Sequence, residues 1–328
     1  MSANSLFASA AALRARRLAQ GRRMDRLFRL ATVLFAWGVL LVLGAIIVVL
    51  LVQAWPAFSR FGFGFFTSTA WNPVTENYGA ASSILGTLVT AFIAIALAVP
   101  ISFGIALFLT ELSPRWLRRP IGIAVELLAG IPSIIYGIWG LFIFAPWFAD
   151  NVQWRISDTL GNLPAIGPLF QGPPIGLGWL VAGLVLTIMI IPFIAAVMRD
   201  VFDVVPTTLK ESAYAMGSTR WEVMRHIVLP YTSVGVIGGI MLGLGRALGE
   251  TMAVTFVVGN AHDIHASLFM PGNTIASTIA NEFTEATTVP HRSALIALGL
   301  ILFIITFVVL ALAKFLLLQV ERGQGQKA

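Results

Sequence analysis

Six long apolar runs constrain the fold of this chain more than any other feature. Each is about 20 residues or longer, the length that an α-helix needs to cross the hydrocarbon core of a bilayer. The runs are Leu30–Val52, Ile84–Leu112, Ile121–Phe148, Leu177–Met198, Thr232–Val258 and Ser293–Val320. Only 11% of the 328 residues are charged, against about 25% in soluble proteins. The sequence therefore predicts an all-α, polytopic membrane protein with six transmembrane helices.

The lysines and arginines between these runs predict the orientation. The amino-terminal segment, the segments after the second and fourth runs and the carboxyl-terminal tail hold sixteen of them, and the three alternate loops hold three. Cytoplasmic segments carry the basic excess in membrane proteins. We therefore expect both termini in the cytoplasm. Because topology accounts for the basic residues, no nucleic-acid partner is expected.

The runs also predict the domain organisation. Residues 1–29 form a basic cytoplasmic tail, 30–320 a transmembrane domain, and 321–328 a second cytoplasmic tail. The first apolar run is longer than the roughly 7–15 residues of a secretory signal, so we expect an uncleaved first span. The chain has no cysteine, which excludes disulfides, thiolate metal sites and cysteine nucleophiles.

Two charges lie near the middle of the fifth run, Arg246 and Glu250. Each costs about 2.5–3.5 kcal/mol at the centre of a transmembrane helix, so both require a role. At i and i+4 they share a helix face and can pair. Gly239 and Gly243 continue this stripe in the G-x-x-x-G spacing that lets another helix approach closely.

Two interpretations of this pair stay open. It is a structural ion pair that fixes helix packing, or it lines a path for a polar anion. Arginine suits phosphate because its planar guanidinium donates two parallel hydrogen bonds. Glu250 would balance the arginine in an empty path, and it could accept a hydrogen bond from a protonated phosphate oxygen, which sulfate lacks. Glu126, near the inner end of the third run, is a weaker candidate for the path.

The longest inside segment, residues 199–230, predicts two short helices and is called the coupling segment below. Thr208 with Glu211, and Thr219 with Glu222, have capping-box spacing. Gly217 lies where a helix would end in a left-handed residue. Trp221, Met224 and Val228 are predicted to line one face of the second helix, and Pro230 to end it. Amphipathic helices resting on the membrane surface are the simplest interpretation.

The details of this segment resemble the EAA signature of bacterial ABC importer permeases, E-A-A-x(3)-G-x(9)-I-x-L-P. The matching residues are Glu211, Ser212, Ala213, Gly217, Ile227, Leu229 and Pro230. Ser212 stands where the family has its first alanine. The resemblance implies that the helix pair docks into a groove on a cytoplasmic ATPase, with Glu211 and Gly217 as key positions.

Other motifs resemble the phosphate-specific permeases of ABC importers, and among them the PstC type more than its sister subunit. They include Gly238–Thr255, Trp71-Asn-Pro, Tyr78-Gly-Ala, Ala129-Gly-Ile-Pro-Ser133 and Phe269-Met-Pro-Gly-Asn273. The resemblance, from about residue 30 to 320, implies the type I importer permease fold in a bacterial inner membrane. It implies a second permease subunit, an ATPase dimer that binds ATP and Mg²⁺, and an external phosphate-binding protein. The chain itself has no Walker A motif, so no enzymatic activity is expected.

Four alternatives bear on these predictions. A permease for another oxyanion, such as sulfate or molybdate, would share the signature. A proton-coupled secondary transporter would use Arg246 and Glu250 but does not explain the coupling segment. An intramembrane enzyme needs a nucleophile or metal constellation, and His262 and His265 have no obvious third ligand. The aromatic loop Gln53–Ser83 fits either an interfacial belt or a docking surface for an external partner.

Overall fold

A computed structural model describes the backbone of residues 3–325 and the side chains of residues 24–318, apart from 115 and 316. The fold is helical, with one short antiparallel hairpin. The helices are α1 Ala3–Phe61, α2 Gly64–Thr67, α3 Ala81–Leu107, α4 Arg115–Ala129, α5 Ser133–Trp139, α6 Ala145–Phe148, α7 Trp154–Leu160, α8 Trp179–Asp203, α9 Thr207–Ala215, α10 Arg220–Val223, α11 Leu229–Leu248, α12 Met252–Val257, α13 Ile275–Glu282 and α14 Val289–Gly325. Strands β1 (Trp71–Asn72) and β2 (Asn77–Tyr78) form the hairpin.

Several of these helices are continued by turns wider than an α-helical turn, and three of these turns lead without a break into the next helix. The wide turns are Phe108–Leu112, Gly140–Phe144, Ala149–Gln153 and Met224–Val228, and a short 3₁₀ helix covers Gly167–Phe170. Within the described residues, six helical segments are long and apolar enough to cross a membrane, which confirms the predicted number of spans. They are Met24–Phe61, Ala81–Leu112, Ser133–Leu160, Trp179–Asp203, Arg220–Leu248 and Val289–Phe315.

The third span differs from its prediction as Ile121–Phe148. Pro132 cannot donate a backbone hydrogen bond and disfavours helical geometry in the residue before it. The helix therefore breaks between Ala129 and Ser133. Residues 115–129 form the separate helix α4, and the third span extends from Ser133 to Leu160, into the stretch predicted as an outer loop. Hydropathy alone had joined two helices that a proline separates.

The chain divides into two compact units, Met1–Gln53 and Ala54–Ala328. The described part of the first unit belongs to α1 alone. The second unit is organised around α8, the most buried of the spans. Alanines of α3 at positions 91, 94 and 98 are buried in the same core, and Gly183 of α8 leaves room for Ile93 of α3. Small side chains thus let these two spans approach closely, as in other membrane helix pairs.

The coupling segment begins in the last turn of α8 and holds α9 and α10. We call the side of the second unit that carries it the inner side, and the opposite side the outer side. Helix α10 continues through the wide turn Met224–Val228 into α11. Pro230 therefore does not end a helix, contrary to the prediction, but lies in the first turn of α11. A proline is tolerated in a first helical turn, where its missing amide need not pair.

Candidate functional site

The glycine stripe of α11 faces α8. A β-carbon on Gly243 would lie 2.5 Å from Cδ1 of Ile194, and one on Gly239 would lie 3.1 Å from Cγ1 of Val197. Real β-carbons essentially never approach another atom within 3 Å, so Gly243 permits a helix contact that alanine would obstruct. The prediction that this stripe faces protein rather than lipid is confirmed.

Arg246 follows Gly243 by one turn and is half-buried. Its guanidinium carbon lies 4.3 Å from the ring centroid of Phe193 on α8, a distance at which a cation and an aromatic face attract each other. Its charge also acts on the phenol of Tyr136 on α5. The Nε atom is buried and has no hydrogen-bond partner among the described residues.

This arrangement leaves the Arg246 guanidinium over the ring of Phe193, with a buried donor, Nε, that has no partner among the described residues. A buried donor without a partner costs about 1–3 kcal/mol, so an acceptor that reached it would be bound favourably. A cation stacked on an aromatic ring keeps its N–H groups in the guanidinium plane, available for two parallel hydrogen bonds. The site is therefore suited to an oxyanion. Phe193 was not predicted, although its position next to Pro192, inside α8, was visible in the sequence.

Glu250 departs from the prediction of a continuous fifth span. Helix α11 ends at Leu248, and α12 begins at Met252. Glu250 lies in the break, where its Oε1 accepts a 3.4 Å hydrogen bond from the amide of Ala253. The first amides of a helix lack internal partners and attract negative charge. Glu250 therefore interacts with the start of α12, and the predicted helix face shared with Arg246 does not form.

Arg246 and Glu250 are not joined by a salt bridge in the described part of the chain. The expectation that they can pair across one helical turn is wrong for this conformation, because the break turns Glu250 away from the helical stripe. Both side chains remain half-buried and four residues apart in sequence. The i, i+4 ion pair therefore does not account for either charge in the membrane.

The turn of the coupling segment matches its prediction. Gly217 has φ +87°, its amide donates to the carbonyl of Tyr214 at 3.0 Å, and the next amide, of Ser218, donates to Ala213 at 3.1 Å. These two bonds are the Schellman pattern that ends a helix on a left-handed residue. Glycine has no β-carbon to oppose this conformation, so the sequence places the right residue at the turn between α9 and α10.

Only one of the two predicted capping boxes forms. Thr219 caps α10, since its hydroxyl accepts from the amide of Glu222 and its amide donates to the Glu222 carboxylate at 2.7 Å. Helix α9 begins at Thr207, two residues earlier than a cap at Thr208 predicts, so Thr208 lies inside the helix and makes no cap. Proline sets the start of α9 in place of the threonine.

The remaining signature residues divide between surface and interior. Glu211, Ser212 and Pro230 are exposed, Ala213 is buried, and Ile227 and Leu229 are half-buried. The predicted apolar face is partly wrong. Met224 and Val228 are fully buried, but Trp221 is 55% exposed and Val223 takes its place in the core. Met216, beside the turn, is 83% exposed. The coupling segment thus presents Glu211, Met216 and Trp221 to its surroundings.

On the outer side, part of the predicted aromatic loop contacts the third outer loop, residues 260–292. The ring of Trp71 stacks on His262 with centroids 5.2 Å apart, and Tyr78 stacks on His291 at 5.1 Å. Glu282 accepts from Trp71 Nε1 at 2.6 Å and lies 2.9 Å from Nε2 of His291. These rings are therefore internal contacts, whereas Phe63 and Trp55 stay exposed.

The same contacts set the charge of Glu282. Burial raises the pKa of a carboxylate, but hydrogen bonds from His262, Trp71 and His291 favour the ionised form, and the net effect lowers the pKa of Glu282. Glu282 is thus an ionised centre that ties together the hairpin, the third outer loop and the start of α14. Among the described residues, no group of three or more histidine, aspartate or glutamate side chains is placed to hold a metal ion.

Comparison with known proteins first gives the class. Residues 98–322 match the family described as binding-protein-dependent transport system inner membrane component. The permease of an alginate-importing bacterial ABC transporter has the same fold, with a TM-score of 0.54 at 16% identity, over 85% of this chain and 94% of that one. The permease of the MetNI methionine ABC transporter aligns with a TM-score of 0.52 at 17% identity, over 73% and 94%. The molecule is a multi-pass inner-membrane permease.

Curated relatives are more specific. The phosphate transport system permease protein PstC of Pasteurella multocida is 59% identical over 304 residues, covering 93% of this chain and 95% of the relative. That of Mesorhizobium japonicum is 56% identical over 317 residues, covering 96% and 97%. PstC 1 of Mycobacterium tuberculosis is 39% identical over 291 residues, covering 83% and 86%. The chain belongs to the PstC family of phosphate transport system permease proteins.

Proposed function

We propose that this chain is a channel-forming permease subunit of an ATP-driven importer that moves inorganic phosphate across the bacterial inner membrane. The observation that carries the proposal is the state of Arg246. This guanidinium lies inside a membrane span, 4.3 Å from the ring centroid of Phe193, and its buried Nε has no hydrogen-bond partner in the part of the chain that the structure describes. Its N–H groups can supply the paired donors that phosphate accepts. The PstC relatives, named for phosphate transport, support this substrate.

Glu250 would act on the same anion from the break between α11 and α12. A carboxylate repels a fully ionised oxyanion but accepts a hydrogen bond from a protonated one. At neutral pH phosphate carries such a proton and sulfate does not. Glu250 at the end of α11 would therefore favour phosphate over sulfate, while Arg246 supplies the attraction that both anions share.

The coupling segment would bind the energy source. Glu211, Met216 and Trp221 are exposed around the glycine turn, and this exposed surface would be the one on which the partner docks. The partner would be a cytoplasmic ATPase dimer that binds ATP and Mg²⁺. This chain has no Walker A motif and would hydrolyse no nucleotide itself. With the coupling segment facing the cytoplasm, both termini would also be cytoplasmic.

Two further partners complete the assembly. A second permease subunit would form a heterodimer with this chain, so that two copies of the fold enclose the path that Arg246 lines. A soluble phosphate-binding protein would deliver the anion on the outer side, where the family description, binding-protein-dependent transport, supports such a partner. Exposed Trp55, in the last turns of α1, and exposed Phe63, just after α1, would be available to it.

The experiment that tests the proposal is uptake of radiolabelled phosphate by vesicles that contain the complete transporter and ATP. Uptake should require ATP and the binding protein, compete with arsenate and resist sulfate and molybdate in excess. Uptake that is driven by a proton gradient without ATP would overturn the importer assignment. Uptake of sulfate or molybdate in preference to phosphate would overturn the substrate.

A further inference from the structure

An ion pair that sequence reasoning did not identify joins the coupling segment to the second span. The ammonium of Lys210, on α9, lies 2.6 Å from Oε1 of Glu111, in the wide turn that ends the second span. The lysine side chain is 15% exposed and the glutamate side chain 9%. A pair with this little solvent is screened far less than a surface pair, so it holds the two elements in a defined geometry.

A second contact reinforces the first. The hydroxyl of Tyr214, one turn after Lys210 on α9, donates to the other carboxylate oxygen of Glu111 at 3.5 Å. Burial and the neighbouring Glu111 carboxylate raise the pKa of Tyr214, which keeps the phenol protonated as a donor. One carboxylate oxygen of Glu111 therefore accepts from Lys210, and the other accepts from Tyr214.

Helix α9 packs on α10 and on the wide turn Met224–Val228, but it buries little apolar surface. Ala213 is its one buried residue, within a helix whose side chains are all described, and the hydroxyl of Ser212 bonds back to Thr208 inside α9. A single buried methyl group gives little apolar packing. Among the described residues, the side-chain hydrogen bonds between α9 and the second span are those that Glu111 accepts.

The inner end of the second span is itself firmly held. The Thr110 hydroxyl donates to the Ala106 carbonyl at 2.9 Å, and Arg118 of α4 donates to the Thr110 carbonyl that the wide turn leaves free. Farther along the same span, Ile95 lies beside Gly243, one turn before Arg246. A displacement of the second span would therefore also move atoms close to the guanidinium of Arg246.

We propose that Glu111, Lys210 and Tyr214 form a polar strut that locks α9 to the second span, so that a movement of the docked ATPase is transmitted toward Arg246. This inference rests on the proposed coupling function of residues 199–230. Glu111 is a positioning residue in this role, since it touches neither phosphate nor the ATPase. The strut stays closed during transport, and α9 moves with the second span as one rigid body.

The measurement is the number of phosphate ions imported per ATP hydrolysed by the purified complex in liposomes. Glu111→Gln should lower this ratio about tenfold, the size of a typical coupling between two sites, while the ATPase remains bound. The exchange Glu111→Lys with Lys210→Glu should restore most of it. Asp158→Asn is the control, because it removes one exposed carboxylate from α7, outside the coupling segment. Its ratio should stay normal.

A reversible cross-link between positions 111 and 210 distinguishes transmission of movement by the strut from simple stabilisation of the fold. The natural chain has no cysteine, so Glu111→Cys with Lys210→Cys introduces the only two thiols of this subunit. Without a linker the ratio should be low, a bifunctional thiol reagent should restore it to within about twofold of the wild-type value, and a reducing agent should abolish the gain. Inhibition by the linker would overturn the strut, because it would show that the contact must open.

Other outcomes are equally decisive. A normal ratio in Glu111→Gln overturns the proposal. If that variant does not assemble, the charge exchange decides: an assembled exchange variant with a wild-type ratio supports the strut, and one with a low ratio contradicts it. If the proposed coupling function itself is wrong, the results differ from these. The wild-type complex then shows no ATP-dependent uptake, or Gly217→Val leaves the ratio of phosphate to ATP unchanged.

Discussion

Replacing Gly217 tests the turn between the two coupling helices. The residue has φ +87°, and no atom lies within 4 Å of the position that a β-carbon would take. A substitution there meets no steric obstacle from neighbours, so its cost comes from the backbone alone. An L-residue in the left-handed region costs about 1–2 kcal/mol, and asparagine tolerates this region better than other residues.

This free-energy cost of the backbone conformation should lower the affinity of the ATPase for the permease. If the ATPase binds only the native turn, a penalty of about 1–2 kcal/mol lowers its affinity roughly 5- to 30-fold, since about 1.4 kcal/mol corresponds to tenfold. Affinity should fall in the order glycine, asparagine, alanine, valine. The assay is binding of the purified ATPase subunit to the purified permease complex, followed by ATP-driven phosphate uptake.

Gly62 offers the matched control. It too has a positive φ, +55°, and open space around its missing β-carbon, but it lies outside the coupling segment. Gly62→Val should strain its own turn and leave ATPase affinity unchanged. If Gly217→Val binds the ATPase within about twofold of wild type, or if Gly62→Val weakens binding equally, the assignment of the docking turn is refuted.

Three further predictions test the orientation, the helix contact and the outer cluster. A Ser218→Cys chain should react with membrane-impermeant thiol reagents only after the inner face is opened, and labelling from outside intact cells would reverse the topology. Gly243→Ala should lower stability by about 1–3 kcal/mol because its methyl meets Ile194, whereas Gly238→Ala, with open space, should not; equal melting temperatures would contradict this. The lowered pKa of Glu282 stabilises the fold above the ordinary glutamate pKa of about 4.3, and this contribution is lost as the pH falls through the lowered value. As the pH falls below about 4.3, the melting temperature of Glu282→Gln should therefore change less than that of the wild type, and parallel curves would refute the role.

The sequence predicts well what depends on local pattern. Six spans follow from hydropathy, and the turn at Gly217 and the cap at Thr219 follow from residues that act on their own backbone. The glycine stripe of α11 follows from helical periodicity, which needs no knowledge of the partner helix. These features are encoded within a few residues of where they appear.

Backbone breaks inside apolar runs could not be predicted in the same way. A hydropathy window averages over Pro132 and over the stretch from Gly249 to Thr251, so it joined α4 to α5 and α11 to α12. The second error placed Arg246 and Glu250 on one helix face. The break instead gives Glu250 an amide partner at the start of α12, a contact that depends on where a helix begins.

Contacts between distant segments were also beyond the sequence. Lys210 and Glu111 are 99 residues apart, and each alone is an ordinary charge near the end of a span. Phe193 likewise gave no sign that it would stack on Arg246. Such pairs depend on how α3, α8 and α11 pack together, which periodicity along a single helix does not specify.

Phosphate uptake by an Arg246→Lys complex tests the central claim most directly. Lysine keeps the positive charge and can still stack on Phe193, but it cannot donate two parallel hydrogen bonds to one anion. If Arg246 contacts phosphate, the complex should assemble, bind its ATPase and melt at the wild-type temperature. Its uptake should nevertheless fall at least about tenfold, since a hydrogen bond to a charged group contributes roughly 1.5–3 kcal/mol. An Arg246→Lys complex that imports phosphate at the wild-type rate would show that the guanidinium serves packing alone, and would contradict the account.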